Sequence, residues 1–133
     1  MSTAIATRPT LGLRTALRLD GWGTGTFGAV LLACAAPLSD PLGLPTTWSV
    51  PFGVAMLGGA LALLLIAGYP RISPRHASAV VGVNALCAVG MVVLACSGAL
   101  DLTALGIAFF LIGALVVAVF AALELAGLCR GIE

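Results

Sequence analysis

The chain has 133 residues, of which 61% are hydrophobic and 8% are charged, and its mean hydropathy is +1.19. Soluble domains carry about 25% charged residues, so this composition excludes an ordinary soluble domain and is typical of an integral membrane protein. The net charge of +1 provides no basic surface for nucleic acid, and the lipid bilayer is the partner that the composition predicts.

The N-terminal region, residues 1–19, is predicted to be a cytoplasmic tail with an amphipathic lead-in. Its first half is small and polar, and its second half places leucines beside Arg14 and Arg18, a pattern suited to the membrane interface. The remainder, residues 20–130, is predicted to form a single transmembrane domain, because its linkers are short and no stretch is long enough for a soluble domain.

The first span is predicted at about residues 21–38. Asp20 is expected to cap its N-terminus by accepting hydrogen bonds from the free backbone N–H groups of the first turn. Gly21 and Gly25 have the four-residue spacing that lets two helix backbones approach closely. Beyond the span we expect a loop, since helix-breaking residues follow closely: Pro37, Pro41, Gly43 and Pro45.

Three further spans are predicted at about residues 48–68, 77–98 and 102–127. The last includes an uncharged stretch, residues 102–123, which would be about 33 Å long as a helix, enough to cross a hydrocarbon core of about 30 Å. The predicted fold is therefore an all-α, four-helix transmembrane bundle that runs up-down-up-down. We expect small residues to supply its helix contacts: Gly21, Gly25, Gly28, Gly58, Gly59, Gly82, Gly90, Gly106 and Gly113.

The arginines predict the orientation of the bundle. With four crossings every arginine falls on one side, and the positive-inside rule makes that side cytoplasmic. Both termini are then cytoplasmic, and the protein is expected to be a multi-pass protein of the cell membrane, specifically the bacterial inner membrane. The arginines concerned are Arg8, Arg14, Arg18, Arg71, Arg75 and Arg130, whereas the two other loops carry only Asp40 and Asp101.

Glu124 is the one acidic residue on a predicted span, and ionisable groups inside membranes are candidate functional sites. It lies six residues before Arg130, about 9 Å along a helix, which puts it near the cytoplasmic interface. Four charged residues are expected at the same level: Arg18, Asp20, Arg71 and Arg75. We therefore favour a structural ion-pair cluster that joins helix ends, with a substrate or proton site as the alternative.

Asn84 lies two turns into the third span. Its amide should face the bundle, where hydrogen bonds between helices are worth about 0.6–2 kcal/mol. Thr24 and Thr26 on the first span are possible partners. We interpret Asn84 as a residue that holds helices together.

The sequence offers no catalytic constellation, so we expect a protein that is not an enzyme and has no cofactor. The lone His76 lacks the neighbours of a metal site or a catalytic pair. No CxxC motif occurs, and the cysteines lie within or at the end of apolar runs, where they behave as small hydrophobic residues: Cys34, Cys87, Cys96 and Cys129.

Several short motifs resemble those of a group of small four-span integral membrane proteins of actinobacteria, themselves uncharacterised. The matching segments are Leu17-Arg18-Leu19-Asp20, Ala36-Pro37-Leu38, Leu42-Gly43-Leu44-Pro45 and Asn84-Ala85-Leu86. The layout is also similar to that of the DoxX-like four-helix membrane proteins. This resemblance implies a four-helix bundle in a bacterial inner membrane and supplies no substrate or catalytic residue.

These observations leave two functional hypotheses. The first is a non-enzymatic accessory or structural component that acts through helix packing, against a second copy or within a larger membrane complex. The second is a subunit of a homo-oligomeric transporter or channel for small solutes or ions, since one four-span chain has little room for a solute path. A redox or quinone-linked membrane enzyme is disfavoured because no dithiol pair or histidine ligand set is present.

Overall fold

The computed structural model describes residues 12–130, and within them the chain is all-helical. The predicted tail therefore falls largely on residues that lie outside this description. The helices in chain order are α1 (Leu13–Ala33), α2 (Ala35–Leu42), α3 (Thr46–Gly68), α4 (Pro74–Ser97) and α5 (Ala104–Cys129).

Three of these helices, α3, α4 and α5, are each long and apolar enough to cross a membrane. The pair formed by α1 and α2 passes the same test but is bent by 87° at the break between them. The described chain thus has three helices that could span a membrane, or four if the bent pair counts as one span. This confirms the prediction of a membrane protein.

The bend between α1 and α2 lies at Cys34, four residues before the predicted end of the first span. Pro37 has no N–H to donate to the carbonyl of Ala33, and its ring would collide with that carbonyl in a straight helix. The chain therefore turns and starts a new helix that includes both Pro37 and Pro41. The predicted loop is present only at residues 43–45. The prediction was wrong up to Leu42, because Pro37 lies in the opening turn of α2, where proline is tolerated.

Gly43 ends α2 with a left-handed residue, φ +68°. The N–H of Gly43 donates to the Asp40 carbonyl at 3.2 Å and that of Leu44 to the Ser39 carbonyl at 3.1 Å, the pattern of a Schellman cap. The cap turns Leu44 inward, where it is buried. One further bond fixes the segment: the Thr103 N–H donates to the Leu42 carbonyl at 3.0 Å. The start of α5 is thereby tied to the end of α2.

Asp20 lies in the interior of α1 and does not cap it, so that prediction was also wrong. The helix begins two turns earlier, at Leu13, after Gly12 as its N-cap residue. The reason is apolar burial: Leu13 and Leu17 are fully enclosed. They pack in one core cluster with buried residues from the α3–α4 end of the bundle: Leu63, Ala67, Ile72 and Ala77.

The helices pair as two hairpins. Helix α1 packs along α3 and α4 along α5, while α1 also contacts α5; α3 and α4 make little contact beyond their connection. The order across the described domain is therefore α3–α1–α5–α4. A second core cluster closes the opposite end, which we call the α2 end, with these buried residues: Leu42, Leu44, Ala95, Leu100 and Phe110.

Glycines allow the close approach of α1 to α3, as predicted. A Cβ on Gly25 would lie 3.2 Å from the Ala60 Cβ, and one on Gly28 would lie 2.9 Å from the Met56 Cβ. Gly106 and Gly113 also face neighbouring groups. The prediction was wrong for four glycines of α3 and α4, where an added Cβ would meet open space because these two helices diverge: Gly58, Gly59, Gly82 and Gly90.

Candidate functional site: a polar cluster joining three helices

Three polar side chains from three helices meet between the two apolar cores. The Asn84 side-chain nitrogen on α4 donates one hydrogen bond to Asp20 Oδ2 on α1, at 2.9 Å, and one to Glu124 Oε1 on α5, at 2.7 Å. Both hydrogens of a single amide group are therefore used, one on each carboxyl group. We call Asp20, Thr24, Asn84 and Glu124 the polar cluster.

Thr24 completes the set from one turn further along α1. Its hydroxyl donates to Asp20 Oδ1 at 2.9 Å, so both oxygens of Asp20 accept a hydrogen bond. Thr26, the other threonine considered from the sequence, is exposed. A four-residue spacing on a helix puts Thr24 directly over Asp20, whereas Thr26 points to a different face.

Glu124 is the most enclosed member of the polar cluster. It is 0% exposed, and Asp20 is 3% exposed. Its second oxygen, Oε2, is buried and has no hydrogen-bond partner among the described residues. The carboxyl groups of Glu124 and Asp20 are neighbours, because each accepts a hydrogen bond from the same Asn84 nitrogen. The cluster thus contains two neighbouring carboxyl groups and one oxygen that lacks a donor.

The cluster lies inside the helical part of the domain, away from its ends. Asp20 is seven residues after the start of α1 and Glu124 five residues before the end of α5, which correspond to about 10 Å and 8 Å along the helices. Asn84 lies ten residues into α4, about 15 Å along it. Water is scarce at such depth in a membrane, so each polar atom depends on the protein for its partners.

The structure brings together three of the five residues proposed from the sequence: Asp20, Asn84 and Glu124. Arg71 and Arg75 are exposed at the α3–α4 connection, and within residues 12–130 no hydrogen bond or ion pair joins either of them to the cluster. The position of a residue along its helix could be estimated from the sequence, whereas the direction of its side chain could not. It is Asn84, and not an arginine, that reaches the carboxyl groups.

Arg14 is a structural residue that the sequence did not single out. Its guanidinium donates to the carbonyls of Ala67, of Tyr69 at 2.7 Å and of Pro70 at 3.3 Å. These carbonyls lie at and just beyond the C-terminus of α3, where the last carbonyls of a helix have no partner in the helix and favour a cation. The available signal was the position of Arg14 on the predicted amphipathic segment, beside the buried Leu13 and Leu17.

Replacing Arg14 with alanine is expected to lower the free energy of unfolding by about 1–2 kcal/mol, because the carbonyls at the end of α3 lose a charged donor. Arg18→Ala is the matched control, because Arg18 is exposed and both variants remove one arginine from the first turns of α1. It should change stability by less than about 0.5 kcal/mol. The measurement is unfolding in mixed micelles; equal losses in the two variants would contradict the contact.

Two surface grooves among residues 12–130 include no residue of the polar cluster. One shallow groove lies on the outer face of α1, beside Trp22 and Val30, and another runs between α4 and α5, beside Val92 and Leu115. Both are lined almost entirely by apolar side chains, as expected of surfaces that face lipid. Among residues 12–130, no three His, Cys, Asp or Glu side chains are grouped so that they could hold a metal ion.

Comparison with known proteins gives no relative: no family model, no curated protein and no solved structure matches the chain. The geometry of the polar cluster and the arrangement of the helices around it are therefore the basis on which a function is proposed.

Proposed function

We propose that the chain is a four-span protein of the bacterial inner membrane, with α1 and α2 forming the first crossing and both termini cytoplasmic. Two features support this topology. The arginines all fall on one side if there are four crossings. The α1–α2 pair is apolar enough to cross despite its bend. The resemblance to the actinobacterial four-span group implies the same layout.

Cysteine labelling tests this topology. In a background in which the four native cysteines are replaced by alanine, Asp40→Cys should react with an impermeant thiol reagent added outside intact cells. Arg75→Cys should react only after the membrane is opened. Both positions are exposed on the protein surface, so a difference between them reports the side of the membrane and not burial. Labelling of Arg75→Cys from outside would contradict the proposed orientation.

We propose that the protein acts as a non-enzymatic accessory or structural component, through helix packing. The observation that carries this proposal is the enclosure of the polar cluster: its hydrogen bonds connect α1, α4 and α5, and both of its carboxyl groups are buried. Meanwhile α3 and α4 diverge and leave small residues open, including Gly58 and Gly82. In a membrane, small residues on an open face permit close approach of another helix.

Extraction in mild detergent tests this role. The wild-type chain is expected to be recovered in an oligomer or a larger complex, and Gly58→Leu and Gly82→Leu should each weaken that assembly without unfolding the chain, because a side chain has room at both positions. A matched control is Val83→Leu, on an exposed apolar position of α4. Recovery of the wild-type chain as a lone monomer would count against the proposal.

A transporter or channel subunit is the second candidate function, favoured by one observation. Glu124 Oε2 is a buried oxygen with no donor among residues 12–130, which is unusual for a residue whose only task is to hold helices together. On this hypothesis, Glu124→Gln should abolish proton or alkali-cation flux in reconstituted vesicles. If the wild-type chain supports no flux above that of empty vesicles, the transporter hypothesis fails.

A further inference from the structure

We infer that Asp20 and Glu124 together bind one proton, held between their carboxyl groups inside the membrane, with Asn84 and Thr24 as the fixed donors of the site. This inference concerns the chemistry of the polar cluster and does not depend on the accessory role proposed above. The ligand is a single proton, because the hydrogen bonds of the two carboxyl groups lack one hydrogen.

The hydrogen-bond inventory carries the inference. Three donors are present, two from the Asn84 amide and one from the Thr24 hydroxyl, and they serve three of the four carboxyl oxygens. The fourth, Glu124 Oε2, is buried without a donor among residues 12–130, and the Asp20 carboxyl group lies next to that of Glu124, since both accept from the Asn84 nitrogen. A hydrogen on that oxygen, donated toward Asp20, would satisfy it. One more hydrogen is therefore needed for all four carboxyl oxygens to take part in hydrogen bonds.

Electrostatics leads to the same conclusion. Two carboxylates held side by side in a water-poor interior repel each other unless something positive lies between them, and two acidic groups in that position commonly share one proton. Within residues 12–130 no guanidinium group is seen in this role: Arg14 donates to carbonyls at the end of α3, and Arg18 is exposed.

In the part of the chain that the structure describes, the surroundings contribute no other titratable group to the pair. Helix α3 carries no acidic or basic side chain between Thr46 and Gly68, and Asp40 lies at the opposite, α2 end of the domain. The remaining titratable or charged side chains on α4 and α5 are exposed, and all but Cys87 lie near helix ends: Arg75, His76, Cys87 and Cys96 on α4, with Cys129 and Arg130 at the end of α5.

The orientation of Asn84 favours a proton over a metal cation. The amide presents its nitrogen to both carboxyl groups. A metal ion between the carboxylates would be coordinated by the amide oxygen, since hard cations take oxygen ligands. The occupant that competes with a proton is an alkali cation, and the experiment below distinguishes the two.

Infrared spectroscopy of the full chain in lipid vesicles tests the inference. At neutral pH the wild-type chain should show the C=O stretch of a protonated carboxyl group, shifted on exchange into D2O. Glu124→Gln should lose this band, and Asp40→Asn, which removes an exposed carboxyl group, should keep it. Replacing Na⁺ and K⁺ by choline should leave the band unchanged. Absence of the band in the wild-type chain, or stability that requires an alkali cation, would overturn the inference.

A stability comparison provides a second test that does not need the band. Glutamine resembles a protonated glutamate: its amide can donate to Asp20 while its oxygen still accepts from Asn84. Glu124→Gln should therefore unfold at the same denaturant concentration as the wild-type chain. Glu124→Leu, which removes the acceptor for one Asn84 hydrogen and the proposed donor to Asp20, should unfold earlier. If Glu124→Gln fails to fold, or unfolds with Glu124→Leu, the shared proton is disproved.

Discussion

Asn84→Leu is expected to lower the free energy of unfolding by about 2–6 kcal/mol. Asn84 supplies a hydrogen bond to Asp20 and another to Glu124, and both carboxyl groups are buried. Leucine has a similar size but no donor, so the variant leaves two buried acceptors unsatisfied, at about 1–3 kcal/mol each. Unfolding in mixed micelles, followed by helical circular dichroism, measures the loss.

Val83→Leu is the control for this prediction, because Val83 is the neighbouring residue on α4 and is 58% exposed. It should change stability by less than about 0.5 kcal/mol. If Asn84→Leu behaves like Val83→Leu, the amide does not connect the three helices, and the polar cluster has no structural role.

Gly28→Leu is expected to cost about 3 kcal/mol or to prevent α1 from docking on α3. A Cβ at Gly28 would lie 2.9 Å from the Met56 Cβ and 3.1 Å from the backbone oxygen of Gly53. Neither atom is the far end of a flexible side chain, so a larger residue must push the two helices apart, and overpacking of this kind costs about 1–3 kcal/mol or more. The measurement is again unfolding in mixed micelles.

Gly58→Leu makes the same substitution where an added side chain meets open space, on the helix that packs against α1. It should be neutral or slightly stabilising in the monomer, since leucine favours helix more than glycine does. Equal destabilisation by the two variants would show that α1 and α3 do not approach as closely as described.

The membrane class and most of the helices could be predicted from the sequence, because hydropathy along the chain is a local property. The bend at Cys34 could not be predicted in the same way. Pro37 signals a break, but whether the chain then forms a loop or a second helix depends on burial of Leu42 and Leu44 against residues far along the chain. The start of α1 was missed for a similar reason, since Leu13 and Leu17 are buried by α3 and the α3–α4 connection.

The candidate site was predictable in part. Glu124 stood out because it is the one acidic residue in a long uncharged stretch, and Asn84 because an amide is costly in hydrocarbon. Their meeting with Asp20 depends on the rotation of three helices about their axes, which sequence spacing does not fix. Arg14 was missed because its partners are backbone carbonyls, which have no signature in the sequence.

The most direct test of the account is a double-mutant cycle on Asn84 and Glu124, with Asn84→Leu, Glu124→Leu and the double variant compared in mixed micelles. Asn84 and Glu124 are hydrogen-bonded to each other in an enclosed cluster. The double variant should therefore lose about 1–2 kcal/mol less unfolding free energy than the two single variants lose in sum. Losses that add within about 0.3–0.5 kcal/mol would contradict it, because residues that do not interact behave additively.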